Sequence, residues 1–232
     1  MKKILLLFLV TTLIGVFILI QDSNKKITNE EYILDEKIYN LEYSVTYGFE
    51  LNDLEEMYKG NEFIAIIYVD KVNPSTTYRD YTDEYIMPYT PGEATILKVL
   101  KGHFASEKIS FSRLGGKVSY YEYEKSLYLS EREKFGSFFS EEDKNNLYIN
   151  NRSQGDITIE NNKMYLAYMN RNDDFHKKNE YNIEALEYGL REVKIEDSNS
   201  NLTSSNIKIK NNKTDEYENI EKAVSSKLVE KI

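Results

Sequence analysis

The residues best suited to chemistry are a group of carboxylates near the middle of the chain and two histidines. Asp80, Asp83 and Glu84 lie within five residues, and oxygen ligands grouped in this way can hold a cation such as calcium. Their spacing lacks the alternate ligands and central glycine of a calcium loop, which favours a surface loop. His103 and His176 are the only histidines, and without cysteine a zinc site lacks ligands. We therefore assign no catalytic residue, metal ligand or cofactor and expect no catalysis. An envelope hydrolase or metal-dependent enzyme built on the acidic cluster is the alternative.

A second candidate site is the aromatic segment that follows the glycine pair Gly115-Gly116. If this segment is extended, Tyr121 and Tyr123 share one face and Tyr120 lies on the other, close to Arg113. Tyrosines offer large, rigid contact area, and arginine is a frequent anchor at binding surfaces. These four residues are our candidate ligand-binding set, for an envelope protein or a glycan. Ordinary packing at the rim of a barrel is the competing interpretation.

Three apolar segments are the strands that must position such a site. Phe63–Val69 is a run of seven apolar residues that predicts a strand buried on both faces. Residues 93–100 predict the next strand, and 108–114 alternate so that Ile109 and Phe111 share one face. Residues 73–92 contain all three prolines and are interpreted as a long polar loop.

Local signals place helices and turns around these strands. Capping residues predict a helix over 53–59 that begins after Asn52, short helices that begin after Ser130 and Ser140, and a final amphipathic helix from Asp215. A hairpin is predicted over 156–169, with a type I′ turn at Asn161-Asn162. Weaker strands are predicted near 181–188, 190–195 and 207–209. In that last helix Tyr217, Ile220, Val224 and Leu228 form one apolar face.

The order of these elements resembles the OB-like barrel of the netrin and tissue-inhibitor-of-metalloproteinase (NTR-like) superfamily, in a bacterial exported version. The segments that carry the resemblance are ATILKVLKG (Ala94 to Gly102), ISFSRLGG (Ile109 to Gly116) and NKMYLAY (Asn162 to Tyr168), within residues 52–195. The resemblance implies a mainly β fold with flanking helices, built on a small antiparallel barrel with a helix between its third and fourth strands. The animal inhibitors chelate zinc through an N-terminal cysteine, which this chain lacks, so no functional residue carries over.

Residues 4–20 are seventeen uncharged residues behind two lysines. As a helix they would be about 25 Å long, near the lower limit for a membrane span. No small-residue cleavage pattern follows them, so we interpret them as a retained single-pass anchor; a cleaved signal would instead give a secreted protein. The expected divisions are an anchor or signal over 1–22, an acidic juxtamembrane stalk over 23–51, the barrel over 52–195 with a helical insert over 117–150, and a C-terminal extension over 196–232.

Charge limits the class of partner. The net charge is −9, and residues 30–56 alone carry nine acidic side chains and one lysine. Such a field repels nucleic acid, so we expect no nucleic-acid partner. The sequence therefore predicts a membrane-anchored, extracytoplasmic binding or interaction module of the bacterial cell envelope.

Overall fold

The computed structural model of the chain describes residues 36–43, 53–172, 179–184, 188–196, 202–203 and 205–229. The anchor expected over 1–22 and the first part of the expected stalk lie outside these residues. Within the described ranges, no helix is both long enough and apolar enough to cross a membrane. A compact folded unit begins at Glu36.

The fold is mainly β with short helices, as the sequence predicts. The strands of the described residues are β1 (Lys37–Tyr43), β2 (Phe63–Val72), β3 (Thr76–Arg79), β4 (Glu84–Lys101), β5 (Lys108–Leu114), β6 (Gly116–Ser119), β7 (Leu147–Ser153), β8 (Met164–Arg171), β9 (Glu180–Ile183), β10 (Leu190–Ile195), β11 (Ile207–Lys210) and β12 (Tyr217–Asn219). The helices are α1 (Leu54–Gly60), α2 (Tyr120–Lys125), α3 (Leu129–Gly136), α4 (Glu141–Lys144), α5 (Ile220–Ala223) and α6 (Ser226–Val229).

Five of these strands close into a barrel. β2 pairs antiparallel with β4 and with β8, β4 pairs antiparallel with β5, and β8 pairs antiparallel with β9. The circle closes where β5 and β9 pair in parallel, with Phe111 opposite Tyr181. Closure leaves these strands without a free edge along the paired residues, which removes a common route to aggregation.

Strand β2 is buried on both faces, which confirms the prediction from its unbroken apolar run. Phe63, Ala65 and Ile67 belong to a cluster to which all five barrel strands contribute, so this cluster fills the barrel. Ile64 and Ile66 belong instead to an outer cluster, where residues of α1, β11, α5 and α6 cover them. Both Ile64 and Ile66 are completely buried.

The C-terminal extension covers this outer face of the barrel. β10 pairs with β8, β11 with β10 and β12 with β11, so the sheet continues beyond the barrel. The single amphipathic helix predicted from Asp215 is wrong, because Asp215 has a positive φ of 62° and Val224 has an extended backbone between α5 and α6. The helical spacing nevertheless selected buried residues, since Ile220, Val224 and Leu228 all lie in the outer cluster.

The polar loop predicted over 73–92 is also wrong, because most of it forms the β3–β4 hairpin. Proline cannot donate to a strand ladder, but its carbonyl can still accept. The carbonyl of Pro88 accepts a bond from the Gly115 N–H at 2.6 Å, and that of Pro91 accepts one from the Asn73 N–H at 2.9 Å. The two prolines therefore lie in β4 at points where the strand uses an acceptor.

Residues 156–160 do not form the first strand of the predicted hairpin. A type I′ turn needs a positive φ at both central residues, whereas only Asn162 has one, at 60°. The segment is irregular and turns Ile159 into the barrel cluster, with Ile157 packed against it. It thus lies across one end of the barrel, which matters for the site described below.

The insert between β5 and β8 builds a second, three-stranded sheet. β7 pairs antiparallel with β6 and in parallel with β1, so Lys37–Tyr43 of the expected stalk is a strand of the folded unit. One face of this sheet packs against α2 and α3 through a small apolar cluster that includes Ile149 and Tyr120.

Three helices begin at or close to the predicted capping residues, but only one of them begins at the residue that the sequence predicts. Ser140 caps α4 as expected, accepting a bond from the Asp143 N–H. The cap of α3 is Tyr128 rather than Ser130, and α1 is capped by Asp53 rather than Asn52. Each error displaces a helix start by one or two residues and leaves the helix itself in place.

Candidate functional site

The four residues of the sequence-based ligand set do not form one surface. The segment expected to be extended is helix α2, because the Ser119 hydroxyl accepts the Glu122 N–H and starts a helix at Tyr120. Positions three apart lie on one side of a helix, so Tyr120 and Tyr123 face inward together and Tyr121 faces out. Arg113 lies elsewhere, at the end of β5.

Tyr120 and Tyr123 take part in packing. The ring of Tyr120 stacks on Phe135 with 6.1 Å between centroids and 6° between planes, and Tyr123 contacts the same ring at 5.2 Å. Burial and the neighbouring Glu124 raise the pKa of Tyr120 to about 12, and its hydroxyl bonds to Glu124 at 3.1 Å. Tyr121 is 43% exposed, with its hydroxyl 3.3 Å from Asn145. These placements agree with the packing interpretation for two of the three tyrosines.

Arg113 is a buried clamp, only 4% exposed. Its guanidinium forms an ion pair with Asp156, donates to the Ile157 carbonyl and lies 3.4 Å from the Glu184 carbonyl through Nε. Burial raises the pKa of Asp156 against the pull of Arg113, and burial lowers the pKa of Arg113. Both groups are thus pushed toward their neutral forms, as expected where desolvation outweighs attraction within a buried pair. The pair holds the irregular segment 156–160 against the barrel.

A cleft of about 570 Å³ lies where this clamp meets the three-stranded sheet. Its barrel side is formed by residues 72–75, by 156–159 and by the end of β5, and its other side by β1, β6 and β7. The volume is within the range of small-ligand sites, which are concave and mostly apolar with a few convergent polar groups. Arg113 lines the cleft, whereas Tyr120, Tyr121 and Tyr123 do not.

The sheet presents Lys117, Tyr148 and Asn150 to the cleft, and Asn40 lies beside Asn150 on the same face. In the register of β1 and β7, Ile38 lies opposite Tyr148 and Asn40 opposite Asn150, and β6 places Lys117 opposite Asn150. The side-chain amide of Asn150 donates from Nδ2 to the side-chain oxygen Oδ1 of Asn40 at 2.8 Å. Three neighbouring strands thus set amide and amine groups side by side on one face.

The charges around the cleft are matched in pairs. Lys117 forms an ion pair with Glu36, the residue before β1, at 2.7 Å. Arg152 forms one with Glu42 of β1 at 3.1 Å. With the Arg113–Asp156 pair, each of the three cations at the site has an acidic partner. A ligand with a large net charge would have to compete with these pairs, so the geometry suits a neutral, polar ligand.

Glycines and small hydroxyls shape the barrel side. Gly115 and Gly116 have φ angles of 96° and 140°, and a Cβ on Gly116 would lie 2.1 Å from the Ser75 hydroxyl oxygen. The Thr90 hydroxyl donates to the Gly115 carbonyl at 2.8 Å and lies 2.9 Å from that of Ser75. Only glycine tolerates these angles without strain, so the glycine pair is needed where the chain passes from β5 to β6 at the border of the cleft.

The acidic cluster considered from the sequence lies at the tip of the β3–β4 hairpin. Asp83 has a positive φ of 56° and accepts a bond from the Tyr78 hydroxyl at 2.8 Å. Among the described residues, no group of three or more histidine, aspartate or glutamate side chains is arranged to hold a metal ion. His103 is exposed, and His176 lies outside the described ranges.

Apart from Arg113, the sequence does not single out the residues of the cleft, because their signal is short. In β7 the burial alternates, with Leu147 and Ile149 inward and Tyr148 and Asn150 toward the cleft. This period-two pattern is visible in LYINNRS, but it spans only seven residues at the end of a segment dominated by helix caps. The pairing with β1, more than a hundred residues earlier, has no local signal.

We compared the chain with protein-family models, with curated proteins and with solved structures. No family model matches, and neither of the other two comparisons gave a significant match. What this chain does must therefore be inferred from its own residues and geometry.

Proposed function

We propose that this chain is a membrane-anchored, extracytoplasmic binding module of the bacterial cell envelope, with the cleft as its ligand site. The observation that carries the proposal is that Asn150 and Lys117 line one side of the cleft, opposite a wall that contains Ile157 and Ile159. A single-pass anchor over the apolar run 4–20 supports the location.

The scaffold is proposed to be an OB-like barrel of the NTR-like kind. Taken in chain order, the barrel strands are β2, β4, β5, β8 and β9. Around the barrel the order is β2, β4, β5, β9, β8 and back to β2, which is 1-2-3-5-4 in chain order. The pair of β5 and β9, third and fifth in the chain, is parallel. This is the order of a five-stranded Greek-key barrel of OB type, and the insert lies between the third and fourth strands as that fold requires.

The ligand class that the cleft fits best is a glycan. Sugars present neutral hydroxyl and amide groups beside apolar ring faces. The amide of Asn150 can bond to the former, and the wall that includes Ile157 and Ile159 can cover the latter. Because the neighbouring charges are already paired, a neutral ligand does not strand an unpaired ion.

The alternative is an envelope hydrolase or metal-dependent enzyme built on Asp80, Asp83 and Glu84. It has weaker support, since Asp83 is bound by Tyr78 within its own hairpin. None of the three carboxylates lines the cleft. The cleft therefore gives these carboxylates no site in which to act.

Calorimetric titration of the full chain with a soluble N-acetylglucosamine trimer tests the proposal. We expect saturable binding that weakens about tenfold for Asn150→Ala, the loss of roughly one or two hydrogen bonds. Tyr148→Ala should weaken binding in the same way, because it removes cleft wall.

Tyr121→Ala is the matched control, since it removes an exposed tyrosine outside the cleft and should leave the affinity unchanged. Melting temperatures of the three variants guard against unfolding. No heat with the trimer, or equal affinity for the wild type and Asn150→Ala, would contradict a glycan site in this cleft.

A further inference from the structure

Three large apolar side chains stand out from the insert into solvent. Tyr128, Leu129 and Phe138 are 81%, 72% and 65% exposed, more than any other large apolar side chain among the described residues. Tyr128 and Leu129 lie at the start of α3, and Phe138 follows its end. Single exposed apolar residues are ordinary, but these three lie within eleven residues of the insert and are here named the apolar tip (Tyr128, Leu129 and Phe138).

The apolar tip is not needed to hold α3 in place. The inner side of the helix is attached by Phe135, which contacts Tyr120 and Tyr123, and by Phe139, which contacts Tyr120 at 5.9 Å. None of the residues of α3 is itself buried. Most of the surface of the three tip side chains is therefore left free for contact with another surface.

The chain enters the folded unit beside this tip. The Lys37 N–H donates to the Asn146 carbonyl at 3.1 Å, and the Lys37 amine pairs with Asp143 of α4. Tyr39 packs edge-on against Phe139 at 5.3 Å and Phe135 at 6.1 Å. Phe135 in turn contacts Phe138 of the tip at 6.5 Å.

The length of chain before this point limits how far the tip can be from the membrane. Fifteen residues, 21–35, separate the apolar run from Glu36. Even fully extended they reach about 50 Å, at roughly 3.3–3.6 Å per residue. Because the chain itself limits this distance, contact with the lipid surface is an intramolecular event, and a weak contact is enough to be occupied.

We propose that the apolar tip inserts into the lipid surface. The inference rests on the anchor in the proposed function and adds a second membrane contact to it. Aromatic and leucine side chains favour the boundary between headgroups and acyl chains. The exposed charges of α3 balance, with Glu131 and Glu133 against Arg132 and Lys134, so the contact does not depend on anionic lipid.

This contact would point the cleft away from the membrane. Both sites lie on the three-stranded sheet, but on opposite faces. Tyr39 and Ile149 face the cluster that carries α3, whereas Ile38 and Asn150 face the cleft. Because successive residues of a strand point to opposite faces, β1 itself separates the lipid side from the ligand side.

The chain contains no tryptophan, which allows a single reporter to be placed at the tip. The test uses full-length Phe138→Trp in vesicles of zwitterionic phosphatidylcholine, with and without bromine on the acyl chains. We expect blue-shifted emission and at least twofold quenching by the brominated lipid, reduced when Tyr128→Ser and Leu129→Ser are added.

Leu97→Trp on β4 is the matched control, because Leu97 is an exposed apolar residue of the barrel, 40% accessible. Its emission should be the same in both lipids. Equal emission of Phe138→Trp in both lipids would overturn the tip contact. A blue shift that depends on protein concentration and not on bromine would also overturn it, in favour of self-association.

Alkaline extraction of the same vesicles tests the membrane anchor separately from the contact of the apolar tip. A chain that stays with the lipid while the reporter is not quenched overturns the tip contact alone. A chain that is released overturns the anchor as well. Quenching of Phe138→Trp in a chain that resists extraction supports both.

Discussion

The border between barrel and cleft depends on one pair of residues. Arg113 is tied to the side chain of Asp156 and to the carbonyl of Ile157, while Asp156 also accepts the Ile157 N–H at 2.9 Å. Residues 156–160 have no strand partner to hold them. The ion pair replaces the missing ladder bonds and keeps that wall of the cleft in position.

Arg113→Ala should therefore lower the free energy of unfolding by about 3–5 kcal/mol, because it leaves the buried Asp156 carboxylate uncompensated. Urea denaturation of the full chain followed by near-ultraviolet circular dichroism measures this. Arg152→Ala is the control: its partner Glu42 is exposed, and such pairs are worth roughly 0–1 kcal/mol. Equal losses in the two variants would mean that Arg113 is not a structural clamp.

The residue types at the site could be found from the sequence more easily than their roles. Arg113 was selected as a surface anchor, and the structure places it at the cleft but buried, because its partner is 43 residues away. No local pattern predicts that distant pairing. An extended segment predicts Tyr121 and Tyr123 on one face, whereas the Ser119 cap starts a helix that turns Tyr120 and Tyr123 to the same side.

At the level of elements, the strands with the strongest local pattern were predicted best. Lys108–Leu114 has the expected bounds, and the buried run from Phe63 extends only three residues further than expected. The errors lie where proline or helical spacing suggested one local structure and tertiary pairing imposed another. Pro88 and Pro91 lie within β4, and the apolar face expected on one helix is divided between β12, α5 and α6.

The double burial of β2 gives a test at this scale. Ile66→Asp should prevent folding of the barrel, because Ile66 is fully buried and an unpaired charge in a core costs several kcal/mol. Ile66→Ala should cost about 2–5 kcal/mol in the same urea titration.

Lys71→Asp, on an exposed position of the same strand, is the control and should change stability by less than about 1 kcal/mol. A folded Ile66→Asp variant with a normal melting temperature would show that β2 is not covered on both faces.

For the molecule as a whole, the three-stranded sheet lies between the two proposed contact surfaces, with α3 packed on one face and the cleft on the other. The resemblance implies the barrel, but no local pattern predicts this second sheet, because β1 and β7 are far apart along the chain and pair in parallel. Long-range parallel pairing has the weakest local signature of any sheet contact.

Hydrogen exchange of the full chain, measured by mass spectrometry with and without saturating N-acetylglucosamine trimer, tests the central claim most directly. The cleft predicts slower exchange in residues 147–153 and 156–159 and no change in 120–125. Slower exchange in 120–125 alone would mean that the ligand binds at the tyrosines of α2 and not in the cleft. Unchanged exchange throughout the cleft would contradict the account.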